Sequence, residues 1–179
     1  FDGREHISLA TLPNMSDRTV TIGGYSKTFS ITGWRIGYSV AEATWAKAIG
    51  AMSDVLYVCA PTPLQYGVAA GIRELPQSFY AGLATEHQQK RDRFCRALDK
   101  AGLPPSVPQG AYYVLADVTR LPGTTGRDRA IYLLGKSGVA GVPGEAFFEG
   151  PEGSRFMRFC MAKMDDDLEQ ASLRIEQLG

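Results

Sequence analysis

Strand-like runs alternate along the chain with amphipathic helical stripes, and this alternation restricts the fold more than any other feature. The strand-like runs cover residues 19–23, 36–40, 111–118, 139–142 and 155–161. Between them, apolar residues recur at helical spacing, as Trp45, Ile49 and Met52 do. Alternating strands and helices predict an α/β or α+β architecture.

Proline and glycine mark the ends of the longest predicted helix, which covers residues 77–100. Pro76 precedes this helix, and Gly102 follows it as a stop signal. Pro76 is also the clearest break in the chain. We therefore predict two domains, one of residues 1–76 and one of residues 77–179.

Composition and charge argue against several classes of protein. Lys plus Arg (19) equal Asp plus Glu (19), so the formal net charge of zero gives no basic excess for nucleic acid or an anionic membrane. No apolar run approaches the roughly 20 residues that cross a bilayer. The cysteines, Cys59, Cys95 and Cys160, are odd in number and far apart. Their spacing favours free thiols in the cytoplasm over disulfides, and the chain offers no cluster suited to a metal.

The segment of residues 23–38, GGYSKTFSITGWRIGY, carries the most chemical information. Lys27 and Arg35 are its only charged residues, and apolar residues surround both. Burial of such a lysine would lower its pKa toward that of a free amine, which could form a Schiff base with an aldehyde. Arg35 and Ser26 would suit a phosphate group. The alternative is that Lys27 and Arg35 are solvated loop residues beside an aromatic cluster.

Arg158 is the second candidate for a functional side chain. It lies in the strand-like run RFMRFCM, residues 155–161, with apolar neighbours on both sides. A guanidinium enclosed in this way requires an anionic partner, and its planar fork matches a carboxylate. The partner could be a substrate carboxylate or an internal acid such as Glu145.

The string SKTFSITGWRIGY, residues 26–38, resembles the lysine signature of the class I/II aminotransferases, which are fold-type I pyridoxal-phosphate enzymes. The similarity continues at residues 58–65, 108–113, 142–144 and 158–160, and so covers nearly the whole chain. It is greatest to the aspartate/kynurenine-type subfamily. The resemblance implies the C-terminal part of the large cofactor-binding domain, residues 1–76, followed by the small α+β domain, residues 77–179.

The resemblance also implies roles for the candidate residues. Lys27 would carry pyridoxal 5′-phosphate as a Schiff base, Arg35 would bind its phosphate, and Arg158 would bind the substrate carboxylate. Many relatives have a serine three residues before the lysine, whereas this chain has Gly24 there. Ser26 is therefore the candidate for the phosphate-binding hydroxyl.

The implied activity is transfer of an amino group between an L-amino acid and a 2-oxo acid, in a cytoplasmic homodimer. The family's enzymes are longer than this chain and place further cofactor contacts upstream, so we expect a C-terminal half that is inactive alone. Two alternatives remain open at this point. One is a pyridoxal-phosphate enzyme that cleaves a C–S bond or eliminates at Cβ. The other is an aminotransferase-like effector domain of a transcription regulator.

Overall fold

The computed structural model describes residues 1–179 and shows a mixed α/β chain, which confirms the predicted fold class. Five α-helices are present: α1 (Ala43–Tyr57), α2 (Thr62–Glu74), α3 (Gln77–Lys100), α4 (Gly126–Ser137) and α5 (Asp165–Glu176). Six strands accompany them: β1 (Thr21–Gly24), β2 (Gly37–Val40), β3 (Pro105–Ser106), β4 (Tyr113–Asp117), β5 (Val142–Pro143) and β6 (Phe156–Cys160). No helix combines the length and the apolar character needed to span a membrane.

The chain forms two compact units. The first, here called the hairpin unit, is Glu5–Leu83, and the second, the sheet unit, combines Phe1–Arg4 with Ala84–Gly179. The division falls inside α3, whereas we predicted the domain boundary at Pro76. The first turn of α3 belongs to the hairpin unit because its aromatic rings pack on Phe29, with ring centroids 6.3 and 6.4 Å away. The assignment of domains 1–76 and 77–179 stays a prediction.

The sheet unit is built on an antiparallel sheet with strand order β3-β4-β6-β5. Along β6, Met157 and Phe159 are buried and the alternate residues are half-buried, as the two-residue period of a strand requires. The buried face joins a core with these members: Phe94, Leu98, Leu103, Val114, Val118, Leu133, Leu168 and Ile175. Arg158 lies on the other face, opposite Leu115 of β4 and Val142 of β5.

The hairpin unit contains an antiparallel pair, β1 and β2, in the register Gly23↔Tyr38. A Cβ atom on Gly23 would stand 2.3 Å from the Tyr38 ring, so this position has no room for a side chain. The hydrophobic residues of the unit that are fully buried are Ile36 and Val68. The unit that contains the hairpin loop, residues 25–36, therefore has few buried apolar residues.

The first four residues are attached to the sheet unit by polar contacts. Arg91 of α3 donates two hydrogen bonds to the Asp2 carboxylate, at 2.6 and 2.7 Å. The Arg91 guanidinium also lies 5.0 Å from the centre of the Phe1 ring, and the Phe1 amino group donates to the Gln109 carbonyl at 3.1 Å. These contacts explain why Phe1–Arg4 belong to the sheet unit, although Glu5 begins the hairpin unit.

Local signals predicted some elements more closely than others. The bounds of α3, between Pro76 and Gly102, are those predicted. The strand predicted over residues 139–142 is wrong in its position, because only Val142 and Pro143 pair with β6. Gly138, which ends α4, has a left-handed φ of 70°, and the chain pairs with the sheet only from Val142, four residues later.

Candidate active-site residues

Lys27 lies in a turn at the start of the hairpin loop. The backbone N–H of Tyr25 donates to the Ile36 carbonyl at 3.2 Å and closes the loop, while the N–H of Ser30 donates to the Lys27 carbonyl at 3.3 Å. The Lys27 side chain is exposed. This exposure agrees with the alternative in which Lys27 is a solvated loop residue beside an aromatic cluster, and not with burial by apolar neighbours. The reason is that the aromatic rings pack on one another, Tyr25 with Phe29 at 5.8 Å between centroids, instead of around the amine.

Arg35 ends the same loop, in a left-handed conformation with φ 56°. Its Nη1 donates to the Thr32 carbonyl at 3.1 Å, and its exposed guanidinium forms no ion pair. The Thr32 hydroxyl donates to the Ser26 carbonyl at 3.2 Å, so Thr32 links the two ends of the loop. Ser26, Lys27 and Arg35 all lie in this loop.

The donors of this loop suit a phosphorylated aldehyde. No acidic residue occurs between Asp17 and Glu42, so the amine of Lys27 and the guanidinium of Arg35 have no carboxylate partner within the loop. An amine can bind an aldehyde covalently, and an arginine with a nearby hydroxyl binds phosphate. The residues present therefore fit pyridoxal phosphate.

Gly24, the departure from the usual serine, is not required by the backbone. A Cβ atom built on it meets only the Ile36 carbonyl oxygen, at an ordinary contact distance of 3.7 Å. Gly23, its neighbour, is required by the Tyr38 ring. The chain therefore has room for a side chain at position 24, although none is present.

A cavity of about 390 Å³ lies next to the loop within the hairpin unit. Its walls are mainly apolar and include Phe29, Trp34, Val68 and Phe79. Neither Lys27 nor Arg35 lines it. The hairpin loop thus contributes its apolar residues and the hydroxyls of Thr28 and Ser30 to this cavity, but not its two charged side chains.

Arg158 is held between two aromatic rings in the sheet unit. Its Cζ atom lies 4.1 Å from the centre of the Tyr113 ring and 4.4 Å from that of Phe147. Its Nε is buried and has no hydrogen-bond partner. The suggested internal partner, Glu145, instead accepts a hydrogen bond from the N–H of Gly126 at 2.5 Å, at the start of α4. The ion pair with Glu145 that remained possible from sequence is therefore absent.

Tyr112, just before β4, and Tyr113, the first residue of β4, have different surroundings. Tyr112 packs against the hydrophobic core of the sheet unit, whereas Tyr113 is partly exposed over Arg158. Burial, and then a hydrogen bond with Tyr113, raise the pKa of Tyr112. Tyr112 is therefore a neutral packing residue near neutral pH, and Tyr113 is the one that contacts a candidate site residue.

The four predicted site residues fall into two groups. Ser26, Lys27 and Arg35 belong to the hairpin unit, and Arg158 belongs to the sheet unit. Sequence reasoning did not find Phe147, whose only local signal is that it follows the Val142-Pro143-Gly144 match by three residues. The contact of Phe147 with Arg158 depends on the pairing of β5 with β6, and the local sequence around Phe147 does not predict that pairing.

Known proteins similar to this chain are aminotransferases. The family model for "Aminotransferase class I and II" matches residues 3–174. A kynurenine–oxoglutarate transaminase of Dictyostelium discoideum is 36% identical over 193 aligned positions, which cover 96% of this chain and 44% of that protein. An aspartate aminotransferase of Pyrococcus abyssi is 32% identical, with 99% of this chain and 45% of that protein covered. The chain thus spans a little under half the length of these relatives.

Solved structures show the same similarity. N-succinyldiaminopimelate aminotransferase from Mycobacterium tuberculosis matches with a TM-score of 0.90 at 29% identity, over 100% of this chain and 47% of that one. An Escherichia coli protein with a methionine aminotransferase function matches with a TM-score of 0.89 at 30% identity, over 97% and 45%. Class I and II aminotransferases use pyridoxal 5′-phosphate. Because the family model matches nearly the whole length of this chain, the chain belongs to the class I and II aminotransferases.

Proposed function

We propose that the intact protein transfers an amino group between an L-amino acid and a 2-oxo acid, with pyridoxal phosphate held by Lys27. The observation that carries the proposal is that neither Lys27 nor Arg158 has an anionic partner in the chain. Arg158 is a half-buried cation without an internal partner and is therefore suited to an external anion, whereas the exposed amine of Lys27 is open to an aldehyde. Membership of the family supports the same chemistry.

Each candidate residue has a separate role in this reaction. Lys27 supplies the amine that holds the aldehyde carbon of the cofactor, and Arg35 with Ser26 supplies donors for its phosphate. Pyridoxal phosphate, when bound, supplies the electron sink that makes a proton on the substrate Cα removable.

Proton transfer is then the task of Lys27. With the cofactor bound, the Lys27 amine, when free, would take the proton from the substrate Cα as a general base and return a proton as a general acid. Arg158 binds the substrate carboxylate through its fork of N–H donors and so fixes the orientation of Cα.

Replacement of Lys27 in the intact protein tests this proposal. Lys27→Ala is expected to abolish the visible absorbance of the covalently held cofactor and to lower kcat by about 10²–10⁴-fold, the usual contribution of a general acid–base group. Lys47→Ala, which removes another exposed lysine of the hairpin unit, is the matched control and should change neither. Normal turnover by Lys27→Ala would refute the assignment.

The acceptor requirement separates transfer from elimination. A transaminase releases oxo acid from its amino-acid substrate in repeated turnovers only when a second oxo acid is present. We expect that dependence for this protein. Sustained oxo-acid release without an acceptor would instead favour the lyase alternative.

For the intact protein we further propose a homodimer. Support comes from α1, which leaves large apolar side chains uncovered: Val55 is 81% exposed and Leu56 is 74% exposed. Contiguous apolar surface of this kind marks an interaction face. Sedimentation of the intact protein should give twice the mass of one chain, and a monomer at micromolar concentration would contradict the proposal.

A further inference from the structure

We propose that Tyr113 and Phe147 are positioning residues that hold the Arg158 guanidinium in one plane, so that its in-plane N–H donors bind a carboxylate. This inference rests on the proposed function, which assigns the substrate carboxylate to Arg158. It adds two residues whose role follows from the geometry around that arginine.

The two rings reach Arg158 from opposite sides of its strand. β6 lies between β4 and β5, and Arg158 is opposite Leu115 of β4 and Val142 of β5. Tyr113 begins β4, and Phe147 follows the short helix Gly144–Ala146 directly after β5. Both ring centres lie within 4.4 Å of Cζ, well inside the roughly 6 Å range of a cation–π contact. The guanidinium therefore has an aromatic neighbour on each side.

The N–H groups of the Arg158 guanidinium have no hydrogen-bond acceptor in the chain. Nε is buried and unpaired, and Arg158 takes part in no ion pair. The nearby acids are occupied: Glu145 accepts from the N–H of Gly126, and Asp117 accepts from Arg155 at 2.8 Å. Aromatic faces stabilise the positive charge but cannot accept the in-plane N–H groups as a carboxylate does. The arrangement therefore stabilises the cation and leaves its in-plane N–H groups without a protein acceptor.

Held in this way, the guanidinium presents its N–H donors in a fixed plane. Two parallel hydrogen bonds to a carboxylate require the donors and the oxygens to share a plane. An arginine that is already oriented loses less rotational freedom on binding, which strengthens the complex. Loss of either ring should therefore weaken carboxylate binding while Arg158 itself is still present.

The test measures binding of an unreactive carboxylate to the intact holoenzyme by calorimetry. The probe is 3-phenylpropionate, and its amide is the matched ligand without a charge. We expect Tyr113→Leu and Phe147→Leu each to raise the Kd of the carboxylate about tenfold and to change that of the amide less than about twofold. Tyr113→Phe and Phe147→Tyr keep the ring and should stay within about twofold of the wild type for both ligands.

The outcomes separate this inference from the proposed function. If Arg158→Met leaves carboxylate affinity unchanged, the assignment of Arg158 fails. If Arg158→Met weakens binding but both leucine variants bind normally, only the positioning role fails. Equal weakening of carboxylate and amide would show that the rings are an apolar wall, which also overturns the inference. Phe147 is 47% exposed, so Phe147→Leu can decide the matter alone if Tyr113→Leu does not fold.

Discussion

The sheet unit and the hairpin unit bury their apolar side chains to very different extents. In the sheet unit, Leu98 and Met157 have no exposed surface. In the hairpin unit, Leu56 and Val55 of α1 are mostly exposed, and only Ile36 and Val68 are fully buried among its hydrophobic residues. Arg158 therefore lies in a sheet that packs on a buried core, whereas the loop that carries Lys27 belongs to a unit with few buried apolar residues.

This difference bears on how each part of the candidate site is formed. The rings beside Arg158 are fixed by strand pairing within the sheet unit. The loop beside Lys27 depends on a two-stranded ladder and on left-handed residues at Ser30 and Arg35. Segments with few buried apolar contacts open at low free-energy cost. We infer that the carboxylate-binding part is formed by this chain alone, and that the cofactor-binding part needs further packing.

The largest effect is expected from a matched pair of leucine substitutions in the two units. Leu98→Ala removes a fully buried side chain and should lower the free energy of unfolding by about 2–5 kcal/mol. Leu56→Ala, at a position 74% exposed, should change it by no more than about 0.5 kcal/mol. Denaturant unfolding of the chain measures both. Similar losses would mean that α1 is covered in solution, and the comparison of the two units would not hold.

A smaller effect is expected at Gly24, where the loop has room for a side chain. Gly24→Ser adds a hydroxyl three residues before Lys27, where many relatives carry one. One added hydrogen bond should tighten binding of pyridoxal phosphate to the intact apoprotein about fivefold. Gly24→Ala is the control, since it fills the same space without a donor. Equal affinities of the two variants in a cofactor titration would contradict a phosphate near this position.

The smallest effect concerns the attachment of the first four residues to the sheet unit. The hydrogen bond from Arg91 lowers the pKa of Asp2 below its ordinary value of 3.8. Folding thus favours the ionised carboxylate, and this contribution is complete above pH values near 3.8 and is lost as the pH falls through the lowered folded-state pKa. The stability difference between wild type and Asp2→Asn should be constant near neutral pH and shrink below pH about 3.8.

The same pair of residues provides the control for that pH dependence. In an Arg91→Met background, the largest cause of the lowered pKa of Asp2 is gone and only weaker charges such as that of Arg4 remain, so the effect of Asp2→Asn should become nearly independent of pH. Unfolding curves measured across the acid range would check this. A pH dependence that persists without Arg91 would assign it to another group.

Features encoded by neighbouring residues were predictable from sequence, and those that depend on chain pairing were not. The bounds of α3 followed from Pro76 and Gly102, because both act locally. Burial and exposure of Lys27 were both left open by the sequence, since the outcome depends on how the rings of the loop pack together. Phe147 was missed because only the pairing of β5 with β6 brings it to Arg158.

The contact of Asp2 with Arg91 was missed for a related reason. The two residues are 89 positions apart, and no local pattern joins them. The loop residues Ser26, Lys27 and Arg35, by contrast, share one short segment, so the sequence could name them together.

Reduction with borohydride tests the central claim, that Lys27 is the residue that holds the cofactor. The intact protein would be reduced in the presence of pyridoxal phosphate, digested, and mapped by mass spectrometry. We predict a stable phosphopyridoxyl label on the peptide that contains Lys27 and on no other. A label on a different lysine, such as Lys47, or no label at all, would contradict the account.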